Sequence, residues 1–149
     1  MTDSYSNQLV AYLNQLLSNT AVLTNNMYIY HWNIVGPLFF PLHSKFQEYY
    51  EKGTSEYDII AERIRQLGGY PATLSKYNSL SGIKEAVSKE YNSNEALVNT
   101  INDFKYMHRF ASDVSAYASS IGDSVTSGIV GDNVAYLEKQ IWMLEANVK

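Results

Sequence analysis

The chain has 149 residues and a net charge of −4, with 46% hydrophobic and 17% charged residues. This balance is typical of a soluble globular protein, and the length predicts a single domain, 1–149, with a substantial core. The absence of cysteine excludes a disulfide framework and a thiolate metal site. It also suits a reducing cytoplasm, where we expect the protein to be located.

The N-terminal part of the chain carries no positive side chain, because no lysine or arginine precedes Lys45. An acidic, lysine-poor start is the opposite of a basic arm for phosphate, so DNA binding is not expected. Residues 1–4 form neither a basic nor an apolar segment, which argues against a signal peptide. The longest apolar stretch, 34–42, is short and contains two prolines, so no membrane span is predicted.

Two long helices are predicted in the first half of the chain. Apolar residues at helical spacing indicate the first, from about residue 4 to 33. Gly36 and Pro37 then form a turn. The second helix is predicted over about 41–67, with a proline in its first turn and Gly68-Gly69 after its end. The predicted buried residues are Leu9, Leu13, Leu16, Leu23, Met27 and Tyr30 on the first helix, and His43, Phe46, Tyr50, Tyr57, Ala61, Ile64 and Leu67 on the second.

A long connection and two further helices complete the chain. Residues 70–93 are rich in Ser, Asn and Tyr, and apolar residues within 83–87 indicate a short helix inside this connection. A third long helix is predicted over about 93–121 and a fourth over about 126–148, separated by Gly122-Asp123. Short links on either side of one long crossover predict an all-α, ferritin-like four-helix bundle, with the crossover and its short helix between the second and third long helices.

The turn after the first helix brings two histidines together. His31 and His43 lie six residues on either side of Pro37, so their imidazoles face each other in an antiparallel hairpin. On the second helix, Asp58 and Glu62 are four residues apart and project from one face. Two imidazoles and two carboxylates are ligands that a transition metal such as iron accepts.

A single chain cannot bring these four groups to one metal ion. His43 and Asp58 are fifteen residues apart, which is about 22 Å along a helix at 1.5 Å per residue. Metal–ligand bonds, in contrast, are roughly 2 Å long. If the four groups share a metal ion, that ion must therefore lie between two chains, and a twofold axis would create two such sites.

The remaining histidine and aromatic residues receive simpler interpretations. His108 lies on an apolar stripe with no matching carboxylate, so it is interpreted as an ordinary core or surface residue and not as a metal ligand. The intra-bundle di-iron motif Glu-x-x-His is absent, since Tyr28, Phe40 and Lys105 stand three residues before the histidines, and this disfavours an iron site within one bundle. Most tyrosines and tryptophans are interpreted as packing residues. Trp32, beside the first histidine, is the one considered for redox chemistry.

Several motifs occur in a specific combination: His31-Trp32-Asn33, Gly36-Pro37, Phe39-Phe40, Leu42-His43, Asp58, Ala61-Glu62-Arg63-Ile64, Leu67-Gly68-Gly69, Gly122-Asp123-Ser124-Val125-Thr126 and Ile141-Trp142-Met143. This combination resembles the Dps family, the miniferritins, and the likeness covers nearly the whole chain. The resemblance implies a hollow dodecameric shell with ferroxidase sites at its twofold interfaces. There, His31 and His43 of one subunit would face the partner subunit's Asp58 and the partner subunit's Glu62. The resemblance also implies oxidation of Fe(II), preferably by hydrogen peroxide, and deposition of ferric mineral inside the shell.

Two positions depart from the pattern of the family. The family usually carries an aspartate one turn after the second histidine, where this chain has Gln47. A neutral amide is a poorer iron ligand, so we expect the second iron position to be weakly held. The iron-entry pore of the family is lined by carboxylates near the start of the last helix. Asp123 matches one of them, but Gly128 stands where another is usual, so a weaker entry field is expected.

The favoured hypothesis is therefore iron storage and detoxification by a ferroxidase built as a homododecamer, which protects against oxidative stress. Its substrates would be Fe(II) and either hydrogen peroxide or oxygen. Iron would be held by His31, His43, Asp58 and Glu62, and Trp32 would supply or carry an electron. One alternative is a DNA-compacting chromosomal protein with a mainly architectural shell, although this chain lacks a basic terminal tail. Another is a purely structural bundle with vestigial ligands, which ferric absorbance after addition of ferrous iron and peroxide would separate from the first.

Overall fold

Four long helices contain most of the residues in the structure, a computed structural model that describes residues 3–149. In chain order the elements are α1 (Asp3–Asn33), α2 (Phe39–Gln66), a 3₁₀ turn (Leu74–Lys76), α3 (Tyr77–Leu80), α4 (Ser93–Ser120) and α5 (Ser124–Val148). The predicted all-α architecture is confirmed, and each predicted boundary of a long helix lies within two residues of the observed one. Among the described residues, no helix is both long and apolar enough to cross a membrane. Met1 and Thr2, part of the segment that argued against a signal peptide, lie outside these residues.

Glycines end α2 and shape the turn before it. Gly36 has φ 118° and Gly68 has φ 90°, in the left-handed region that side chains with a Cβ avoid. The N–H of Gly68 donates to the carbonyl of Arg65, and the N–H of Gly69 donates to the carbonyl of Ile64, both at 3.0 Å. These bonds satisfy carbonyls at the end of α2 that have no partner further along the helix.

Gly53 allows α1 and α2 to approach each other closely. A Cβ atom at this position would lie 2.1 Å from Oγ1 of Thr24 on α1, so the two atoms would clash. The glycine lowers the intrinsic stability of α2 by about 1 kcal/mol relative to alanine. In return, the two helices can pack along each other at this point.

The core lies between the long helices. Helix α1 packs along α2, α4 packs along α5, and α1 also contacts α4. The predicted buried face of α1 is confirmed, since each of its residues is at most 9% exposed, namely Leu9, Leu13, Leu16, Leu23, Met27 and Tyr30.

The buried face of α2 differs from the prediction. The buried residues are Leu42, Phe46, Tyr49, Glu56, Ile60 and Ile64, whereas His43, Tyr50, Tyr57, Ala61 and Leu67 are only half-buried. The Tyr49 hydroxyl reaches α5 and donates to Oε1 of Gln140 at 3.0 Å. Tyr50 instead stacks on Tyr28 of α1, with ring centroids 3.9 Å apart. The adjacent residues Tyr49 and Tyr50 thus contact different helices. For this reason the sequence alone did not distinguish the face of α2 toward the core from its face toward α1.

The short helix in the crossover lies earlier than predicted. It occupies residues 74–80, including its 3₁₀ turn, and residues 83–87 are irregular. The side chain of buried Asn26 on α1 holds this irregular segment. Its Nδ2 donates to the carbonyl of Lys84 at 2.9 Å, and its Oδ1 accepts from the N–H of Ala86 at 2.8 Å. These main-chain groups therefore bond to α1 and not within a helical turn.

Candidate metal centre

His31 near the end of α1 and His43 near the start of α2 form a reciprocal pair. Their rings stack with centroids 3.7 Å apart and 15° between the planes. Nδ1 of His31 lies 2.6 Å from the carbonyl oxygen of His43, and Nδ1 of His43 lies 2.7 Å from the carbonyl oxygen of His31. Phe39 stacks on His43, with ring centroids 4.9 Å apart. The prediction that the two imidazoles face each other is confirmed.

These hydrogen bonds determine which nitrogen of each ring is free. A carbonyl oxygen only accepts, so each Nδ1 carries the proton and donates it. In the neutral imidazole, Nε2 then keeps its lone pair, and no hydrogen bond within the described residues involves either Nε2. Metal-binding histidines typically donate their other ring N–H to a carbonyl or carboxylate in this way. The pair therefore presents two ring nitrogens that could bind a metal ion.

The end of the crossover supports the turn that carries the two histidines. The N–H of Val35 donates to the carbonyl of Tyr91 at 2.8 Å, and the N–H of Tyr91 donates to the carbonyl of Asn33 at 3.1 Å. The rings of Tyr91 and Tyr30 meet edge to face at 4.9 Å. The turn is thus fixed on both sides, by helix packing and by a short parallel bridge.

Aromatic side chains form a continuous series from His31 to the surface. Tyr50 meets His31 edge to face, with ring centroids 5.2 Å apart. Tyr28 stacks on Tyr50 at 3.9 Å, and Trp32 lies 5.4 Å from Tyr28. The Trp32 side chain is 62% exposed, so the series ends at solvent. Sequence reasoning identified Trp32 but not the two tyrosines, whose positions depend on the packing of α1 against α2.

The chain does not bring Asp58 and Glu62 to its own histidines. Both carboxylates are exposed on α2, and α2 is one uninterrupted helix from Phe39 to Gln66. The estimate of about 22 Å between His43 and Asp58 along the helix therefore applies. Among the described residues, no group of three or more His, Asp or Glu side chains is placed to hold a metal ion.

Gln47 donates a hydrogen bond to a neighbouring carboxylate. The sequence led us to expect a weak iron ligand at this position. Nε2 of Gln47 donates to Oε1 of Glu51 at 3.0 Å, and both residues are exposed. The sequence analysis did not consider Glu51 as the partner of Gln47. A spacing of four residues on one helix was the signal that could have identified the contact.

Asp123 caps α5 and forms an ion pair with α2. Its Oδ1 accepts from the N–H of Thr126 at 2.9 Å, and both of its oxygens accept from the Arg63 guanidinium, at 3.2 and 3.3 Å. Burial alone raises the pKa of this carboxyl, but the hydrogen bonds from Thr126 and the charge of Arg63 outweigh it, so the pKa lies below its ordinary value. The side chain is 7% exposed, and its charge is compensated within the chain.

The expectation that His108 has no carboxylate partner is wrong, although nothing contradicts its interpretation as an ordinary core or surface residue. Its Nε2 lies 2.8 Å from Oε2 of Glu138 on α5, and its side chain is 29% exposed. Lys105 and Glu145 form an ion pair between α4 and α5, at 3.2 Å. The partners are thirty or more residues apart in the chain, so only the packing of α4 against α5 shows the pairing.

The helical architecture agrees with comparisons to known proteins. The model of the ferritin-like domain family matches residues 10–149. The chain is 40% identical over 138 residues to antigen TpF1 of Treponema pallidum, covering 92% of this chain and 78% of that protein. It is 38% identical over 141 residues to the DNA protection during starvation protein of Brevibacillus brevis, covering 93% and 94%.

A solved structure gives the same result. The Dps protein of Vibrio cholerae, described as a member of a broad superfamily of ferritin-like diiron-carboxylate proteins, superposes with a TM-score of 0.96. It is 33% identical, and the comparison covers 100% of this chain and 94% of that one. The fold is thus that of a ferritin-like four-helix protein, as the sequence predicted. Within that superfamily, the chain belongs to the Dps family.

Proposed function

We propose that this protein oxidises Fe(II) at sites shared between two subunits and stores the ferric product inside a dodecameric shell. The observation that carries the proposal is the reciprocal histidine pair, in which both Nδ1 atoms donate to main-chain carbonyls and both Nε2 atoms are free. Two imidazole nitrogens that are free to bind a metal ion form half of an iron site. Asp58 and Glu62, exposed on α2, are the other half, contributed by the partner.

Each group has a separate role in the proposed site. Nε2 of His31 and Nε2 of His43 bind the substrate Fe(II) together with the partner subunit's Asp58 and the partner subunit's Glu62. The two carboxylates add negative charge, which favours Fe(III) over Fe(II) and so drives the oxidation. Two Fe(II) ions give one electron each to hydrogen peroxide, which takes up two protons and leaves as two water molecules. Where only one Fe(II) is bound, Trp32 supplies the second electron.

The relatives support an iron-related role. The Vibrio cholerae protein is described as a ferritin-like diiron-carboxylate protein, and the Brevibacillus brevis protein is named for DNA protection during starvation. This chain has a net charge of −4 and no lysine or arginine before Lys45. We therefore propose that it protects through removal of iron and peroxide, and that it does not bind DNA.

The contribution of Asp123 to an iron-entry pore is smaller in this proposal than the family pattern implies. Its carboxylate is compensated by Arg63, and Gly128 offers no side chain at the second position. Both changes reduce the negative potential that would draw cations to the start of α5.

The test is ferrous oxidation by hydrogen peroxide, followed by ferric absorbance in stopped flow. His31→Ala should slow the rapid phase by about a hundredfold or more, because it removes a direct ligand. His108→Ala is the matched control, since it removes an imidazole that is bound to Glu138 and is not a partner of either His31 or His43. A rapid phase that survives His31→Ala would contradict the proposal. Equal losses in the two variants would also contradict it, because the effect would then not be specific to the site.

A further inference from the structure

The carboxylates of α2 divide into two groups by their partners. Glu48 pairs with Lys45 at 2.9 Å, and Glu56 pairs with Lys52 at 3.1 Å. No lysine, arginine or histidine pairs with the remaining three in the described part of the chain, where Glu51 accepts only from the neutral amide of Gln47. The unpaired carboxylates are Glu51, Asp58 and Glu62.

The unpaired carboxylates share one stripe of α2 with His43. At 100° per residue, positions 47, 51, 58 and 62 lie about 40°, 80°, 60° and 100° around the helix from position 43. Two of these residues, Asp58 and Glu62, are the proposed iron ligands. Glu51 therefore projects from the same face as the ligands, between His43 and Asp58, and its charge is not compensated by a cation.

The Glu51 side chain is directed toward the histidine end of this stripe. Side chains on an α-helix lean toward its N-terminus, so Glu51 leans toward Gln47 and, beyond it, His43. The hydrogen bond from Nε2 of Gln47 to Oε1 of Glu51 shows that the two side-chain ends meet. This bond uses one carboxylate oxygen and the amide nitrogen. It leaves Oε2 of Glu51 and Oε1 of Gln47 free, and both are oxygen ligands for a divalent cation.

We propose that Glu51 provides the carboxylate that Gln47 lacks, so that the Gln47–Glu51 pair holds a second Fe(II) beside the His31–His43 site. The pair offers one neutral and one anionic oxygen from adjacent turns, where the family pattern has a single aspartate. This inference rests on the proposed function, because the second position belongs to the same interfacial site. The sequence analysis expected a weakly held second iron, because it considered the amide of Gln47 without the carboxylate one turn later. With Glu51 included, we expect the second iron to be held more tightly.

The test is anaerobic titration of the assembled protein with Fe(II), measured by calorimetry without any oxidant. The wild type should bind two Fe(II) ions per site, and Glu51→Gln should bind one tightly and the second at least about tenfold more weakly. Glu48→Gln is the matched control, since it makes the same change three residues away in a carboxylate already paired with Lys45. Gln47→Asp in the Glu51→Gln background should restore the second position.

The outcomes separate this inference from the proposed function. Two equally tight ions in both the wild type and Glu51→Gln would overturn the inference, whatever the result for His31→Ala. If His31→Ala abolishes binding of the first Fe(II) ion while Glu51→Gln leaves binding unchanged, the proposed function is supported and the proposed role of Glu51 is wrong. If His31→Ala leaves both ions bound, the proposed site itself is wrong, and the role of Glu51 falls with it. Size measurement of each variant confirms that the assembly is intact.

Discussion

Arg63 on α2 and Asp123 at the start of α5 join two helices that are far apart in the chain. The guanidinium donates to both oxygens of the carboxylate, and its Nε donates to the hydroxyl of Thr126 at 2.9 Å. Asp123 also caps α5 through the N–H of Thr126. One buried carboxylate therefore stabilises the helix N-terminus and fixes the position of α2 beside it.

This relationship predicts a large loss of stability when the carboxylate is removed. Asp123→Ala removes the cap and leaves the mostly buried guanidinium without its partner, so it should cost about 2–3 kcal/mol of unfolding free energy at neutral pH. Asp132→Ala, on the exposed side of α5, is the control and should change stability by at most about 0.5 kcal/mol. Urea unfolding at equal protein concentration measures both, and equal effects would refute the role of the pair.

The ion pair of Arg63 and Asp123 also makes the stability of the fold dependent on pH. The pKa of Asp123 is lower in the folded chain than in the unfolded chain, so the carboxylate contributes stability above its unfolded pKa of about 4. That contribution is lost as the pH falls through the folded pKa. The difference in unfolding free energy between the wild type and Asp123→Asn should therefore be largest near pH 7 and shrink below pH 4. A difference that stays constant down to pH 3 would show that the charge is not responsible.

Mixed assemblies test whether the iron site is shared. When His31→Ala and Asp58→Ala subunits are mixed equally in one shell, about half of the twofold contacts join unlike subunits. Each such contact has two sites, and one of them combines intact histidines with intact carboxylates. Rapid ferrous oxidation should therefore return to about a quarter of the wild-type rate. Each variant alone should be inactive although assembled. Failure of every mixed assembly to recover activity would mean that the ligands come from one chain.

Trp32 is expected to supply an electron when a single Fe(II) meets peroxide. In that reaction one Fe(II) and the Trp32 indole each lose one electron, and the exposed indole releases its N–H proton to water. Freeze-quenched samples with one Fe(II) per site should show a protein radical by electron paramagnetic resonance, and Trp32→Phe should remove it. Trp142→Phe is the control, because this tryptophan is comparably exposed, at 67%, on α5. An unchanged radical in Trp32→Phe would exclude this role.

The charge of the chain predicts that the protein does not bind DNA. A net charge of −4 per subunit, multiplied over a shell, repels phosphate. We expect no retardation of duplex DNA at physiological salt and neutral pH. Retardation that weakens steeply with added salt would show that basic residues from several subunits converge on one surface of the assembly.

Features determined by neighbouring residues in the chain were predictable. The spacing of apolar residues defines the four long helices, and glycines at the positions that require positive φ define the turn at Gly36 and the end of α2. The facing of His31 and His43 follows from their equal distances to Pro37. It was predictable because a short turn between two regular helices leaves little freedom in register.

Features that depend on distant residues appeared only in the tertiary structure. The pairing of His108 with Glu138, and that of Arg63 with Asp123, joins helices whose relative rotation is fixed by core packing. The irregular segment 83–87 is held by Asn26, because its main-chain groups bond to the side chain of another helix. The spacing of residues specified the helices and the histidine pair, since both depend on local geometry. Only the tertiary structure determined which charged side chains form hydrogen bonds or ion pairs, because the partners lie on different helices and meet only when those helices pack.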